Sequence, residues 1–171
     1  MTGMTRVRLT IAFAACVAFR CASAPPASPS RGGCAVDVWM ISWNSDLDAG
    51  FNDEDEMIKE AQVHEHLETC SYAEAIRSWL DRAPETSVKK PEKGDEFLTD
   101  FRVVARVTSS HGSDLVGVNG GCAWVRRNRK QFLAYDPSLF EILKQPLNAA
   151  ARSELDTYLS HPACGPKATP H

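Results

Sequence analysis

The chain has 171 residues, 43% of them hydrophobic, with 19 basic and 22 acidic side chains and a formal charge of −3. That length and apolar share suit one domain with a real core and exclude a disordered or fibrous chain. The mild acidity offers no general positive field of the kind that nucleic acids and anionic membranes require.

The first eight residues carry Arg6 and Arg8 and no acid, and the run from Leu9 to Phe19 is apolar or small apart from Thr10. The run is too short to cross a bilayer, which needs about 20 apolar residues. It fits the apolar region of a secretory signal, and the small residues Cys21 and Ser23 place the predicted cut before Ala24. Residues 1–23 are therefore expected to be a signal peptide, and the protein to be exported to the periplasm or beyond. Loss of Arg6, Arg8 and Arg20 from the 19 basic residues leaves 16 against 22 acids, a formal charge of −6. A second reading of the same stretch is a lipid anchor, because "FAAC" (Phe13 to Cys16) resembles a bacterial lipobox. "PPASPSRGG", from Pro25 to Gly33, cannot form helix or central strand, so residues 24–33 read as a tether. One globular domain is expected over residues 34–165, followed by a disordered tail over 166–171.

"AVDVWMISWN" (Ala35 to Asn44) reads as an interior strand, with Val36, Val38 and Met40 on one face and Trp39, Ile41 and Trp43 on the other. In "AQVHEHLE" (Ala61 to Glu68), Ala61, Val63 and Leu67 alternate with Gln62, His64, His66 and Glu68, which favours a strand. "SYAEAIRSWL" predicts a helix opened by a capping box from Ser71 to Glu74, with Tyr72, Ile76, Trp79 and Leu80 as its apolar stripe. Ala83 to Glu96 reads as a solvated loop. From Phe101 the period becomes two, and four segments (101–110, 114–119, 122–127 and 131–136) predict a strand meander with short turns. Asp136 then caps a helix with Pro137 at its first position, and Asn148 caps a last helix with Leu155 and Leu159 inward. The fold class expected is α+β: a mainly antiparallel sheet, the meander plus one or two N-terminal strands, with about three helices on one face.

The clearest motif for chemistry is "NSDLDAGFNDED". Calcium loops place oxygen ligands at alternate positions, and here those positions hold Asn44, Asp46, Asp48, the Gly50 carbonyl, Asn52 and Asp55. Ala49 stands where such loops need glycine, and Asp55 where they use a longer glutamate, so calcium is expected to bind weakly if at all. The competing reading is an acidic run into a helical first turn. His64 and His66 share a strand face at a spacing that can chelate zinc, but a third ligand is not named by the sequence. Cys122 in "GGCAW" invites a nucleophile reading with His161 as base, without any local signature of a thiol enzyme. "RRNRK" (Arg126 to Lys130) is a basic hairpin tip, read as solvated.

Of six cysteines, four (Cys34, Cys70, Cys122 and Cys164) remain after the predicted cut, an even set for disulfides in an oxidising compartment. Three pairings are possible; the one adopted ties the domain ends through Cys34 and Cys164 and joins Cys70 to Cys122. There is no GxSxG, P-loop, dinucleotide or paired-cysteine zinc pattern in the sequence. The function expected is an exported, non-catalytic envelope protein that binds a macromolecular partner, a basic protein rather than nucleic acid, with no transmembrane span. The alternatives are a small metal-binding envelope protein, with calcium at 44–55 or zinc at His64 and His66, and a hydrolase with a dispersed site.

Overall fold

The computed structural model describes residues 33–45, 50–51, 53–88 and 100–166. The predicted signal peptide, most of the tether and the tail from Lys167 lie outside them. The elements run β1 (Ala35–Met40), α1 (Glu54–Glu60), β2 (Val63–Leu67), α2 (Cys70–Arg82), β3 (Phe101–Ser109), β4 (Gly112–Asn119), β5 (Trp124–Arg127), β6 (Gln131–Ala134), α3 (Ser138–Lys144) and α4 (Ala149–Ser160). All six strands form one antiparallel sheet in the order β2-β1-β3-β4-β5-β6. The α+β class and the meander from β3 to β6 stand as expected, with two N-terminal strands added at one side. No helix of the described residues is long and apolar enough to cross a membrane.

Alternation along the strands divides the apolar residues between two faces. Val36, Val38 and Met40 of β1, with Val103, Ala105 and Val107 of β3, join α2, α3 and α4 in the larger core. The stripe read from α2 is buried as Tyr72, Ala73, Ile76, Trp79 and Leu80. Each large side chain so buried contributes about 1.5–3 kcal/mol, which explains why a mixed-composition segment forms a stable helix here. The opposite face carries a smaller cluster of Trp39, Ile41, Phe101, Val104 and Trp124 beneath Met57 of α1. Thus three helices cover one face, and a fourth, short helix covers part of the other.

A bulge aims Phe101. Phe101 pairs with Asn119 and Val103 with Val118, so Arg102 is an extra residue on β3 and Phe101 turns to the smaller cluster. Gly117 on the neighbouring strand makes the room: a Cβ there would stand 2.6 Å from the Phe101 ring and 3.1 Å from Cγ of Glu54. Gly117→Val is expected to destabilise by about 1–3 kcal/mol through overpacking. A shift of the urea midpoint at constant m-value checks this; an unchanged midpoint would mean the ring moves freely.

Several local expectations are corrected. The first strand ends at Met40, and its tail turns Trp43 toward α4, where it meets Tyr158 edge-on with ring centroids 5.0 Å apart. Ser71 does not cap α2; the cap is Thr69, two residues earlier, and its side chain makes no capping bond. Pro137 is the N-cap of α3 rather than its first residue, and Asp136 accepts from Ser138 N–H at 2.8 Å. Asn148 caps α4 as read, accepting from Ala150 and Ala151 N–H. The segment after α2 is not simply solvated: Thr86 N–H donates to Phe132 C=O, and Ala134 N–H to Pro84 C=O, both at 2.9 Å.

The disulfide pairing is also corrected. Cys34 bonds Cys70 and Cys122 bonds Cys164, with Cα separations of 4.7 and 5.0 Å. Register explains it. β2 runs antiparallel to β1 and ends with Leu67 beside Val36, so α2 begins next to Cys34. The β4–β5 turn that carries Cys122 lies at the opposite end of the strands, out of reach of Cys70.

Candidate functional site

The most organised polar group outside the cores lies on β1 and β2, on the face away from α2, α3 and α4. Register sets Asp37 opposite His66 and Trp39 opposite His64. One carboxylate oxygen of Asp37 accepts from His64 Nε2 at 3.1 Å and from His66 Nδ1 at 2.9 Å. A carboxylate can only accept, so these contacts fix which ring nitrogens carry protons. His64 stacks on Trp39 with centroids 4.8 Å apart and planes 6° from parallel, and Arg106 stands 5.3 Å from the Trp39 ring centre. Both imidazoles are half exposed, whereas Asp37 is 22% exposed. The group is thus outward-facing yet held by mutual contacts.

The hydrogen bond to Asp37, and then the negative charge of Asp37, hold His66 above its ordinary value of 6.5, with Glu68 adding in the same sense and desolvation opposing. A raised folded value favours the protonated ring. Its contribution is fully present below the unfolded value and is lost as pH rises through the folded one. Proton NMR titration of His66 should therefore give a midpoint above 6.5, the ordinary value, which returns toward it in Asp37→Asn. An unshifted midpoint in the unmodified protein would mean the contact to Asp37 does not persist in solution.

His64 and His66 share one oxygen of Asp37 as hydrogen-bond acceptor, and among the described residues no group of three His, Cys, Asp or Glu could hold a metal. Of the calcium-loop residues, Asp46, Asp48 and Asn52 lie outside the described residues. Asn44 is in the exposed turn after β1, while Asp55 sits in the first turn of α1 and is ion-paired with Arg129. The basic hairpin tip is met by acids nearby: Arg126 pairs with Glu54, Arg127 with Asp114 and Asp81, and Arg129 with Asp55. Asp114 is buried, which opposes its ionisation. Hydrogen bonds from Arg127 and Asn128, with the charges of Arg127 and Arg77, prevail and hold it below the usual carboxylate range. Cys122 is in a disulfide and carries no thiol.

A cleft of about 360 Å³ that sequence reasoning missed opens beside Trp43, Asp100, Arg102, Gly120 and His161. Asp100 accepts from Arg102 Nε at 2.8 Å, and its other oxygen is buried with no hydrogen-bond partner among the described residues. His161 Nδ1 accepts from Ala163 N–H at 3.2 Å, which leaves Nε2 as the donor, and its ring leans on Trp43 at 4.3 Å. These residues come from four separate places in the chain, and no spacing in the sequence joins them.

The two sides of the sheet differ. The outer side of β6 is occupied by the strap around Glu85, which bridges Leu133. Among the described residues nothing bonds the outer side of β2. Ile41 N–H donates to Arg102 C=O, so the odd residues of β1 face β3 and the even ones face β2. Val63, Glu65 and Leu67 therefore bond β1, and the N–H and C=O of His64 and His66 point away from the sheet. Among the described residues they bond nothing. Comparison with family models, curated proteins and solved structures finds no match for this chain.

Proposed function

We propose that this is an exported protein of the cell envelope that binds a macromolecular partner, in an inhibitory, immunity-like or accessory role, and does not itself transform a substrate. The observation that carries the reading is the cluster of Asp37, His64 and His66 with stacked Trp39 and Arg106. His64, His66 and Arg106 are exposed at the side of the sheet, and the stacked His64 ring and Arg106 lie over the buried Trp39. Aromatic and arginine side chains held rigid at a surface are the residue types that dominate protein interfaces. Two disulfides support the compartment, since such bonds persist in oxidising spaces. The charge of the chain, −3 as it stands, supports a basic protein partner over nucleic acid.

The test is capture of partners from an envelope extract on the purified oxidised chain. At low salt it should retain one protein in stoichiometric amount, and retention should fall as salt rises past the screening length. Asp37→Ala should weaken retention while leaving the unfolding midpoint nearly unchanged. Failure to retain any protein, together with turnover of a substrate by the purified chain, would overturn the reading.

A further inference from the structure

The sheet has two outer strands, and the chain treats them differently. Along β6 the outward N–H of Ala134 and C=O of Phe132 are taken by Pro84 and Thr86. Along β2 the outward N–H and C=O of His64 and His66 are left for something else. An uncovered strand is a template for another strand, and proteins that do not use it usually blunt it with lysine, proline or a covering segment. β2 contains neither lysine nor proline; its one blunting charge is Glu65, which repels an acidic or identical strand and admits a basic one.

We infer that β2 is a docking rail for an extended segment of a basic protein partner, which adds as a seventh strand with a cationic side chain opposite Glu65. The inference rests on the partner-binding reading and names its mode. Four backbone hydrogen bonds, from the N–H and C=O of His64 and His66, would supply affinity, and alternate side chains would supply selection. On the helix side the rail presents half-buried Val63 and Leu67 on either side of Glu65, whose Oε1 accepts from Asn148 Nδ2 and whose charge no cation of the described residues offsets. The complementary segment therefore reads apolar, basic, apolar at alternate positions. On the open side its intervening residues lie beside His64 and His66, whose rings are already held by Asp37. Glu65 also argues against a second copy of this chain. Antiparallel self-pairing that matched His64 with His66 would place the two Glu65 side chains opposite each other, and like charges there destabilise the pair.

The probe is a blocked heptapeptide, Thr-Val-Thr-Lys-Thr-Val-Thr, with a control carrying Glu in place of Lys. Binding to the oxidised chain is measured by calorimetry, and protection of individual amides by hydrogen exchange. The lysine peptide should slow exchange at His64 and His66. The glutamate control should bind at least about fivefold more weakly. His64→Pro removes an outward N–H that the β1–β2 ladder does not use, so it should abolish binding; His64→Ala keeps that N–H and should retain most of it. Equal binding of the two peptides, or binding without slowed exchange at those amides, overturns the inference. So does protection of both amides in the peptide-free chain, which would make the occupant the chain's own segment, or a dimer in sedimentation that His64→Pro dissolves. If an envelope protein captured as above binds His64→Pro as tightly as the unmodified chain, strand docking fails while the binding function stands. If nothing is captured and the purified chain turns over a substrate, the function fails and the peptide result still decides the rail.

Discussion

Glu54→Ala is expected to destabilise the domain by about 3–5 kcal/mol, the range for breaking a buried ion pair by removing one partner. Glu54 is 0% exposed, and its carboxylate accepts from Arg126 Nε at 2.8 Å and Nη2 at 2.5 Å. The guanidinium lies 4.4 Å from the Phe101 ring centre, so the pair is sealed by the same residue that the β3 bulge turns inward. Loss of the carboxylate removes the two charge-assisted hydrogen bonds that it accepts from a largely buried guanidinium. Glu54→Gln keeps the shape and should cost less. The neighbouring substitution Asp55→Ala is the control, since Asp55 and Arg129 are each about half exposed and solvent screens such a pair, so its loss should cost far less. Urea unfolding of the three variants measures the ranking. A loss at Glu54 no larger than at Asp55 would show that water reaches the pair in solution.

Opening the Cys122–Cys164 bond is the second large effect. The bond closes a loop spanning 42 positions, and loss of a native disulfide of this kind costs about 2–5 kcal/mol. It also fastens the end of α4 to the β4–β5 turn, beside the cleft lined by His161 and Gly120. The double variant Cys122→Ser, Cys164→Ser should therefore lower the unfolding midpoint and loosen the cleft end first, visible as faster amide exchange after Ser160. Peptide mapping without reductant supplies the covalent check. It should recover Cys34 linked to Cys70 and Cys122 linked to Cys164. Recovery of a Cys34–Cys164 peptide would overturn the register on which the sheet order rests.

The four-strand meander was legible because each segment alternates apolar and polar residues between short turns, and period two admits no other element. Helix α1 was not. Its seven residues are mostly acidic, with Met57 and Ile58 as the apolar contribution, too few to draw a stripe. It forms because Asp53 caps it, acids complement its N-terminus, and Met57 is buried under Trp39 and Val104. The shared face of His64 and His66 was legible for the same reason as the meander. Asp37 was not recognised as their partner, because a cross-strand neighbour depends on register, and register needs the pairing of β1 with β2. A signal was present all the same: Asp37 is the single charged residue in β1. The disulfide pairing failed on the same missing information, since distance along the chain says nothing of which strand end two cysteines occupy.

The layout of the two disulfides carries a consequence for how the domain is made. In the described domain each cysteine is bonded to the next one along the chain, Cys34 to Cys70 and then Cys122 to Cys164. A chain threaded N-terminus first into an oxidising space presents Cys34 and Cys70 before Cys122 has emerged. Oxidation in order of arrival then gives the correct bonds, and the slow exchange chemistry that repairs crossed pairings is not required. The first bond also closes a self-contained unit of β1, α1, β2 and the start of α2, against which β3 can add as it arrives. Crossed or nested bonds would have made the last cysteine a prerequisite for the first correct one; here assembly can proceed while synthesis is still under way.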